Sequence, residues 1–527
     1  MLATLVTAVV SGLRGELVRV EVDVSPGLPV CHIVGLPDAA LSEARERVRG
    51  AIRNSGFEYP LSRITVNLAP ADRRKHGAAY DLAIAVGILV ASGQIRAGGG
   101  PLALLGELSL TGAVGPVRGA LPMLATLMRA GHRRVVIPVA NLGEASMVDG
   151  VKALGVADLP EAARLVAGPR GRTARAAALR DHRDVSGRSD TGGTDAAASA
   201  LLERIVPVDL REIRGQPHAR WALEVAVAGG HNLLLLGPPG AGKTLLARTI
   251  PSLLPPLDEA EALEVAVIRS VSGMLDPEVG DLRQRPFRAP HHTSSYAALV
   301  GGGPRLAPGE VTLAHRGVLF LDELAEFTRD VLDALRQPLE EGSVVIARAH
   351  GHVRYPARVQ LVAAMNPCRC GYHGDPERPC RCSPLEPERY VRRVSGPLVD
   401  RIDLRVHMGR VGAAALVGGA EPEDSAGVAG RIAAARAVAL ARNGGRPNAL
   451  TPGGAIVSVC RLDVRARSRL EELAAVGSLS ARGIHRLLRV ARTIADLAGR
   501  DRVDEEAVLS ARLLRGSDDP AFGTLAA

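Results

Sequence analysis

Aromatic side chains are scarce in this 527-residue sequence: Phe, Trp and Tyr together make up 2%, with one tryptophan, Trp221. That leaves few rings on which bases could stack, so any nucleic-acid contact is expected to go mainly to the backbone. Lysine is almost missing as well. Lys75, Lys152 and Lys243 are the only three among 65 basic residues, and the rest are arginine. Such a bias is a compositional drift, so a position that keeps lysine needs a specific chemical reason. Cysteine is too rare, at six residues, for a disulfide scaffold, and a reducing, cytoplasmic setting is expected. No apolar run outlasts Leu82 to Ala91, far short of the ~20 residues that span a bilayer. Met1 to Val10 is apolar but lacks a basic leader segment, and reads as a first strand rather than a signal.

What remains is ordinary globular usage, 46% hydrophobic and 23% charged, in a chain long enough for about three domains. Residues 1–166 mix strand patterns (Leu17 to Val24, Ile64 to Leu68, Val135 to Ile137) with a helical one, Ala39 to Asn54. Residues 167–201 are rich in Gly, Ala, Ser, Thr, Arg and Asp without an apolar period, and read as a linker. An α/β segment occupies 202–410, a Gly/Ala-rich linker 411–430, and a helical segment 431–527. The net charge is +9, and between Arg431 and Gly516 there are 16 Arg against 8 acidic residues. That surplus fits an anionic partner or a solvated basic face.

The strongest chemical signal is an apolar run, Leu233 to Leu236, followed by Gly237, Pro238, Pro239, Gly240, Ala241, Gly242, Lys243, Thr244 and Leu245. A strand, a glycine-rich loop and a helix start in that order form a P-loop. Its backbone amides curl around a polyphosphate, the lysine reaches the terminal phosphates and the threonine binds Mg²⁺. ATP with Mg²⁺ is the expected cofactor pair. Val318 to Leu321 is a second apolar run ending in Asp322 and Glu323; Asp322 is expected to serve the Mg²⁺ shell and Glu323 to polarise the attacking water. A third, Leu361 to Met365, ends in Asn366, which can orient that water or simply start a turn before Pro367.

Cys368, Cys370, Cys380 and Cys382 form two Cys-x-Cys pairs separated by nine residues. Four thiolates in so short a loop, within residues 366–390, can surround one tetrahedral Zn²⁺, with His373 able to replace one of them; the alternative is four free thiols. Nothing in ATP chemistry calls for such a loop, so its expected role is to stabilise an insertion or a contact surface.

The three strand-end motifs resemble the Walker A, Walker B and sensor-1 elements of AAA+ ATPases. Asp322 follows Lys243 by 79 residues, leaving room for an insertion that holds Arg285 to His292 and the triplet Gly301 to Gly303, expected to be an exposed loop. A second insertion is expected to be a hairpin of Ser343 to Arg348 and Val353 to Gln360 flanking His350, Gly351 and His352. Both resemble the pore-facing insertions of the magnesium-chelatase and MCM-helicase branch. The runs Ala289 to Thr293, Phe320 to Leu324, Met365 to Cys368 and Asp400 to Leu404 identify the chain as a member of the magnesium-chelatase-like ComM/YifB family. From that resemblance, Arg401 is the expected arginine finger, with Arg392 and Arg393 its nearest rivals, and Arg482 the sensor-2 arginine of a helical lid.

The resemblance also implies a Lon-protease-like α+β fold for residues 1–166, through Lys75 to Asp81 and Gly106 to Gly112. Aligned on those motifs, Ala79 stands where that protease has its serine and Leu121 where it has its lysine, so no acyl-enzyme can form and a binding or assembly module is expected. The implied whole is a homohexameric, ATP-driven motor on forked or branched DNA, acting in branch migration or unwinding during recombination. Alternatives are a chelatase-type motor and a protein-remodelling ATPase acting on a protein partner.

Overall fold

A computed structural model describes residues 1–35, 38–70, 77–98, 102–168, 208–276, 281–303, 306–348, 351–412, 421–475 and 480–516. Lys75 and His76, most of the 167–201 linker, His350, residues 413–420 of the second linker and the last eleven residues lie outside them. The chain divides into two compact units, Met1–Glu203 with Ala262–Leu282, and Arg204–Glu261 with Arg283–Ala527. Residues 262–282, expected in the second segment, therefore pack with the first.

The first unit is built on a seven-stranded mixed sheet. Its order is Val30–Val34, Arg63–Ala69, Arg14–Ser25, Leu2–Ser11, Ala103–Leu104, Arg134–Pro138 and Lys152–Val156. The first two long strands form an antiparallel hairpin from Leu2↔Asp23 to Ser11↔Arg14. Alternation places Val18, Val20 and Val22 in the core. The apolar run beginning at Leu82 is the helix Asp81–Ala91, buried along almost its whole length. It is hydrophobic all round because other elements cover every side of it.

The second unit carries a five-stranded parallel sheet in the order Phe287–Arg288, Val318–Leu321, Gln360–Met365, Leu233–Leu236 and Leu404–His407. Continuous apolar runs are what a parallel strand covered on both faces requires, and Leu233 to Leu236 are all fully buried. The Leu233–Leu236 strand comes first in sequence yet lies between the fourth and the fifth. The strand order reverses there, and ligands of open α/β sheets bind at the carboxyl ends beside such a switch.

Two expectations for the insertions change. Gly301 and Gly302 are buried, not exposed, and pair with Ala307–Pro308. Phe287–Arg288 supplies the sheet's edge strand, pairing with Val318 and Leu319. The hairpin exists, but its second strand is Gly351–Pro356; Gln360 already belongs to the central sheet, since Pro356 ends the hairpin ladder.

Four longer helices follow: Ser425–Arg442, Val464–Ala475, Ala481–Leu497 and Glu505–Leu514. Asp424, Ser480 and Asp504 cap three of them through the N–H groups of Gly427, Gly483 and Ala507. Their apolar faces share one core with the P-loop strand, in which Ile432, Leu487 and Leu488 pack in the same cluster as Leu233 and Leu235. Arg492, fully buried, is held by Asp496, which also takes a bidentate pair from Arg442.

Candidate nucleotide site

The three apolar strands deliver their polar ends to one place. Lys243, 8% exposed, donates through Nζ to Gly237 O at 2.7 Å, Pro238 O at 2.9 Å and Asn366 Oδ1 at 3.0 Å. Thr244 Oγ1 lies 2.7 Å from Asp322 Oδ2, and the Glu323 N–H donates to Asp322 Oδ1 at 2.9 Å. Gly240 and Gly242 have φ of +79° and +88°, a left-handed conformation that glycine adopts at no steric cost. Burial draws the Lys243 ammonium down to about 8, against the opposing pull of Asp322 and Glu323. A buried amine beside a glycine-rich loop at the end of a parallel strand fits a polyphosphate. The adjacent hydroxyl and carboxylate oxygens of Thr244 and Asp322 form a hard-oxygen set that fits Mg²⁺. Leu245 is 38% exposed on the turn after the lysine.

His292 is the residue that the motif reading left without a role. Its Nδ1 stands 3.1 Å from Glu323 Oε2, and its ring lies against that of His291 with centroids 4.1 Å apart. Glu323 itself has φ of +52°, a costly conformation for a side-chain-bearing residue. The only hint in the sequence was the His-His pair inside Ala289 to Thr293.

Arg401 and Arg482 come together, but in a different cleft from Lys243. They share a cavity of about 330 Å³ with Glu340, Asp403, His485 and Arg486. Arg401 contacts Pro397 O and the Glu340 carboxylate, and its own carbonyl accepts from Asn232 Nδ2 at 2.8 Å. Arg482 is exposed at the first turn of its helix. Of the rivals, Arg392 pairs with Glu388 on its own helix and Arg393 with Glu326 at 3.2 Å.

The four sulfurs of Cys368, Cys370, Cys380 and Cys382 all lie within 4.8 Å of one another, with Cys368 to Cys370 at 3.3 Å and Cys370 to Cys380 at 3.5 Å. The loop turns its backbone N–H groups onto them: His373 and Gly371 onto Cys368, Arg381 and Tyr372 onto Cys370, Cys370 onto Cys382. Burial works against ionisation of Cys370, yet those N–H groups outweigh it and hold the thiol below its ordinary range. Clustered thiols with N–H donors aimed at sulfur fit a thiolate-bound metal.

In the first unit, Leu121 is buried and Ala79 half-buried, and both side chains are apolar. The Leu121 N–H donates to Glu144 Oε2 at 3.1 Å, and Glu144 is buried with Asn141 and Ser270.

Among the described residues no helix is long and apolar enough to cross a membrane. Comparison with protein families matches residues 209–416 to "Magnesium chelatase, subunit ChlI", residues 20–141 to "Subunit ChlI of Mg-chelatase" and residues 422–515 to its C-terminal region. Among curated proteins the chain is 42% identical over 510 residues to YifB of Escherichia coli, covering 96% of each chain. It is 40% identical over 497 residues to competence protein ComM of Haemophilus influenzae, covering 93% of each. A shorter similarity, 29% identity over 161 residues and 28% of each chain, links it to Lon protease 2 of Bacillus subtilis. With Lys243, Asp322 and Asn366 brought together at the ends of one parallel sheet, the chain belongs to the ComM/YifB family of magnesium-chelatase-like AAA+ ATPases.

Proposed function

We propose that this protein is an ATP-hydrolysing ring motor that acts on DNA, in branch migration or unwinding during homologous recombination. The observation that carries the reading is the division of catalytic parts between two clefts. Lys243, Thr244, Asp322, Glu323 and Asn366 form one half-site, while Arg401 and Arg482 line a separate cavity. A chain built this way hydrolyses ATP when the arginines of one copy complete the site of the next, which is the logic of a closed homo-oligomer; six copies is the family expectation.

In this mechanism Lys243 exchanges its carbonyl partners for the β- and γ-phosphate oxygens, and the P-loop N–H groups take the remaining charge. Thr244 and Asp322 would hold Mg²⁺, which supplies further neutralisation of the phosphates when bound. Glu323 accepts the proton of the attacking water, Asn366 fixes that water's direction and His292 fixes Glu323. The neighbour's Arg401 and Arg482 stabilise the charge that develops on the transferred phosphoryl group. The four cysteines would hold Zn²⁺ as a structural ion. The Lon-like unit, lacking both protease groups, serves assembly or binding. DNA contact through Arg-rich surfaces and the Ser343–Pro356 hairpin, where Arg354 is 69% exposed, goes to phosphates rather than bases.

The test is ATP turnover with and without single-stranded, forked and four-way DNA across a salt series, alongside strand displacement. Stimulation that falls with salt supports the reading. No stimulation at low salt by any DNA overturns it, and stimulation by a protein partner alone assigns the motor to remodelling.

A further inference from the structure

The cysteine loop, for which ATP chemistry suggested no place, lies against the P-loop. Gly371 lies against the P-loop so closely that a Cβ there would sit 2.5 Å from Pro239 Cδ and 2.7 Å from Pro239 Cγ. Its positive φ of +88° excludes an unstrained side chain as well. Tyr372, Glu377 and Arg378 of the same loop line a cavity of about 490 Å³ together with Gly240, Ala241, Gly242 and Leu245.

The loop is tied down on that wall by a stacked set of charges. The Arg378 and Arg410 guanidiniums lie 5.5 and 5.3 Å from the centroid of the Tyr372 ring. Arg410 also forms an ion pair with Asp375 at 3.0 Å, and Asp375 accepts the N–H groups of Glu377 and Arg378 at 2.9 Å each. Gln216 closes the opposite corner, donating to Ala241 O at 3.3 Å and Gly409 O at 2.6 Å. Tyr372, Asp375, Glu377 and Arg378 all lie in the turn between Cys370 and Cys380.

Resting on the reading of the P-loop as the nucleotide site, we propose that the four-cysteine loop forms the adenosine wall of the ATP cleft, so that metal bound by the cysteines and nucleotide bound at the P-loop strengthen each other. The phosphates occupy the N–H groups of Gly240 to Thr244. The base and ribose then extend into the remaining space, which Ile213, Val411, Tyr372 and Arg378 line. A planar base packs on such rings and guanidinium planes. Without metal, the four thiols no longer fix the turn that places Tyr372, and the wall loses its shape. Because coupling between two binding equilibria is reciprocal, the factor by which metal raises nucleotide affinity is the factor by which nucleotide raises metal affinity.

The experiment uses the full-length chain, a fluorescent ATP analogue, inorganic tripolyphosphate as a competitor lacking adenosine, and metal analysis with a chromophoric zinc chelator. Tyr372→Ala is expected to weaken the ATP analogue ~10-fold while leaving tripolyphosphate affinity unchanged. Cys368→Ser with Cys370→Ser is expected to lose the metal and weaken the analogue by a similar factor. Saturating ATP is expected to lower equilibrium zinc transfer from the wild-type chain to the chelator by that same factor. If the double variant fails a melting-curve check of folding, the Tyr372→Ala comparison and the chelator competition carry the test. Lys243→Ala separates the two ideas: analogue affinity equal to wild type there overturns the nucleotide site itself. Analogue affinity lost in Lys243→Ala but unchanged in a folded, metal-free cysteine variant overturns only the coupling. A wild-type chain that takes up no zinc overturns it too.

Discussion

His292 Nδ1 stands 3.1 Å from Glu323 Oε2, so the carboxylate at the end of the acidic strand is held by a side chain from the insertion that precedes it. Glu323 is in a left-handed conformation, and a residue so placed keeps its direction only while its surroundings enforce it. His292→Ala is expected to lower kcat ~10- to 100-fold through misplacement of the base, with nucleotide affinity unchanged. Steady-state turnover and analogue binding measured together check this; weaker binding with unchanged kcat would make His292 a ligand-binding residue instead.

Lys243 and Glu323 are separable by the step each serves. Lys243→Ala removes the buried amine that the proposed mechanism sets against the phosphates and is expected to abolish nucleotide binding. Glu323→Gln keeps the hydrogen-bonding shape but cannot take a proton, so binding persists while turnover falls ~100-fold or more. Equal nucleotide affinity in Lys243→Ala and wild type rejects the P-loop assignment.

The depressed ammonium of Lys243 makes nucleotide binding proton-linked. Its free-state value, about 8 because of burial, rises again when polyphosphate replaces carbonyl oxygens, since an anion favours the charged form. Binding near pH 8 therefore takes up roughly half a proton at this site, and affinity falls as pH increases above that value. Calorimetry in buffers of different ionisation enthalpy measures the uptake. Lys243→Arg, charged throughout, is expected to remove it.

Arg401 and Arg482 occupy one cavity and the P-loop another, which predicts complementation in mixed assemblies. Arg401→Ala and Arg482→Ala chains are each expected to bind ATP and to be inactive alone. Mixed with Lys243→Ala chains, each recovers part of the hydrolysis, because some interfaces then pair an intact P-loop with intact arginines; a finger delivered from outside is worth ~10³ to 10⁵ in rate. No recovery despite verified subunit exchange, with recovery by Arg392→Ala or Arg393→Ala, moves the finger to that rival.

Much of the candidate site was written in one dimension. Buried parallel strands demand unbroken apolar runs, and the polar residues that follow those runs must fall at the strand ends; for that reason Lys243, Asp322, Glu323 and Asn366 could be named from order alone. The same holds for the four cysteines, whose spacing within one short loop already forces their sulfurs together. Three relationships were decided only by tertiary structure. His292 meets Glu323 because a parallel sheet brings the segment after its edge strand beside the end of its neighbour. Arg401 and Arg482 share a cavity because the helix Ala481–Leu497 packs into the same core as the strand Leu233–Leu236. Tyr372 reaches the P-loop because Gly371 has no side chain to hold it away from Pro239. Contacts between distant segments depend on how sheets order and helices pack, and sequence periodicity carries only the local half of that information.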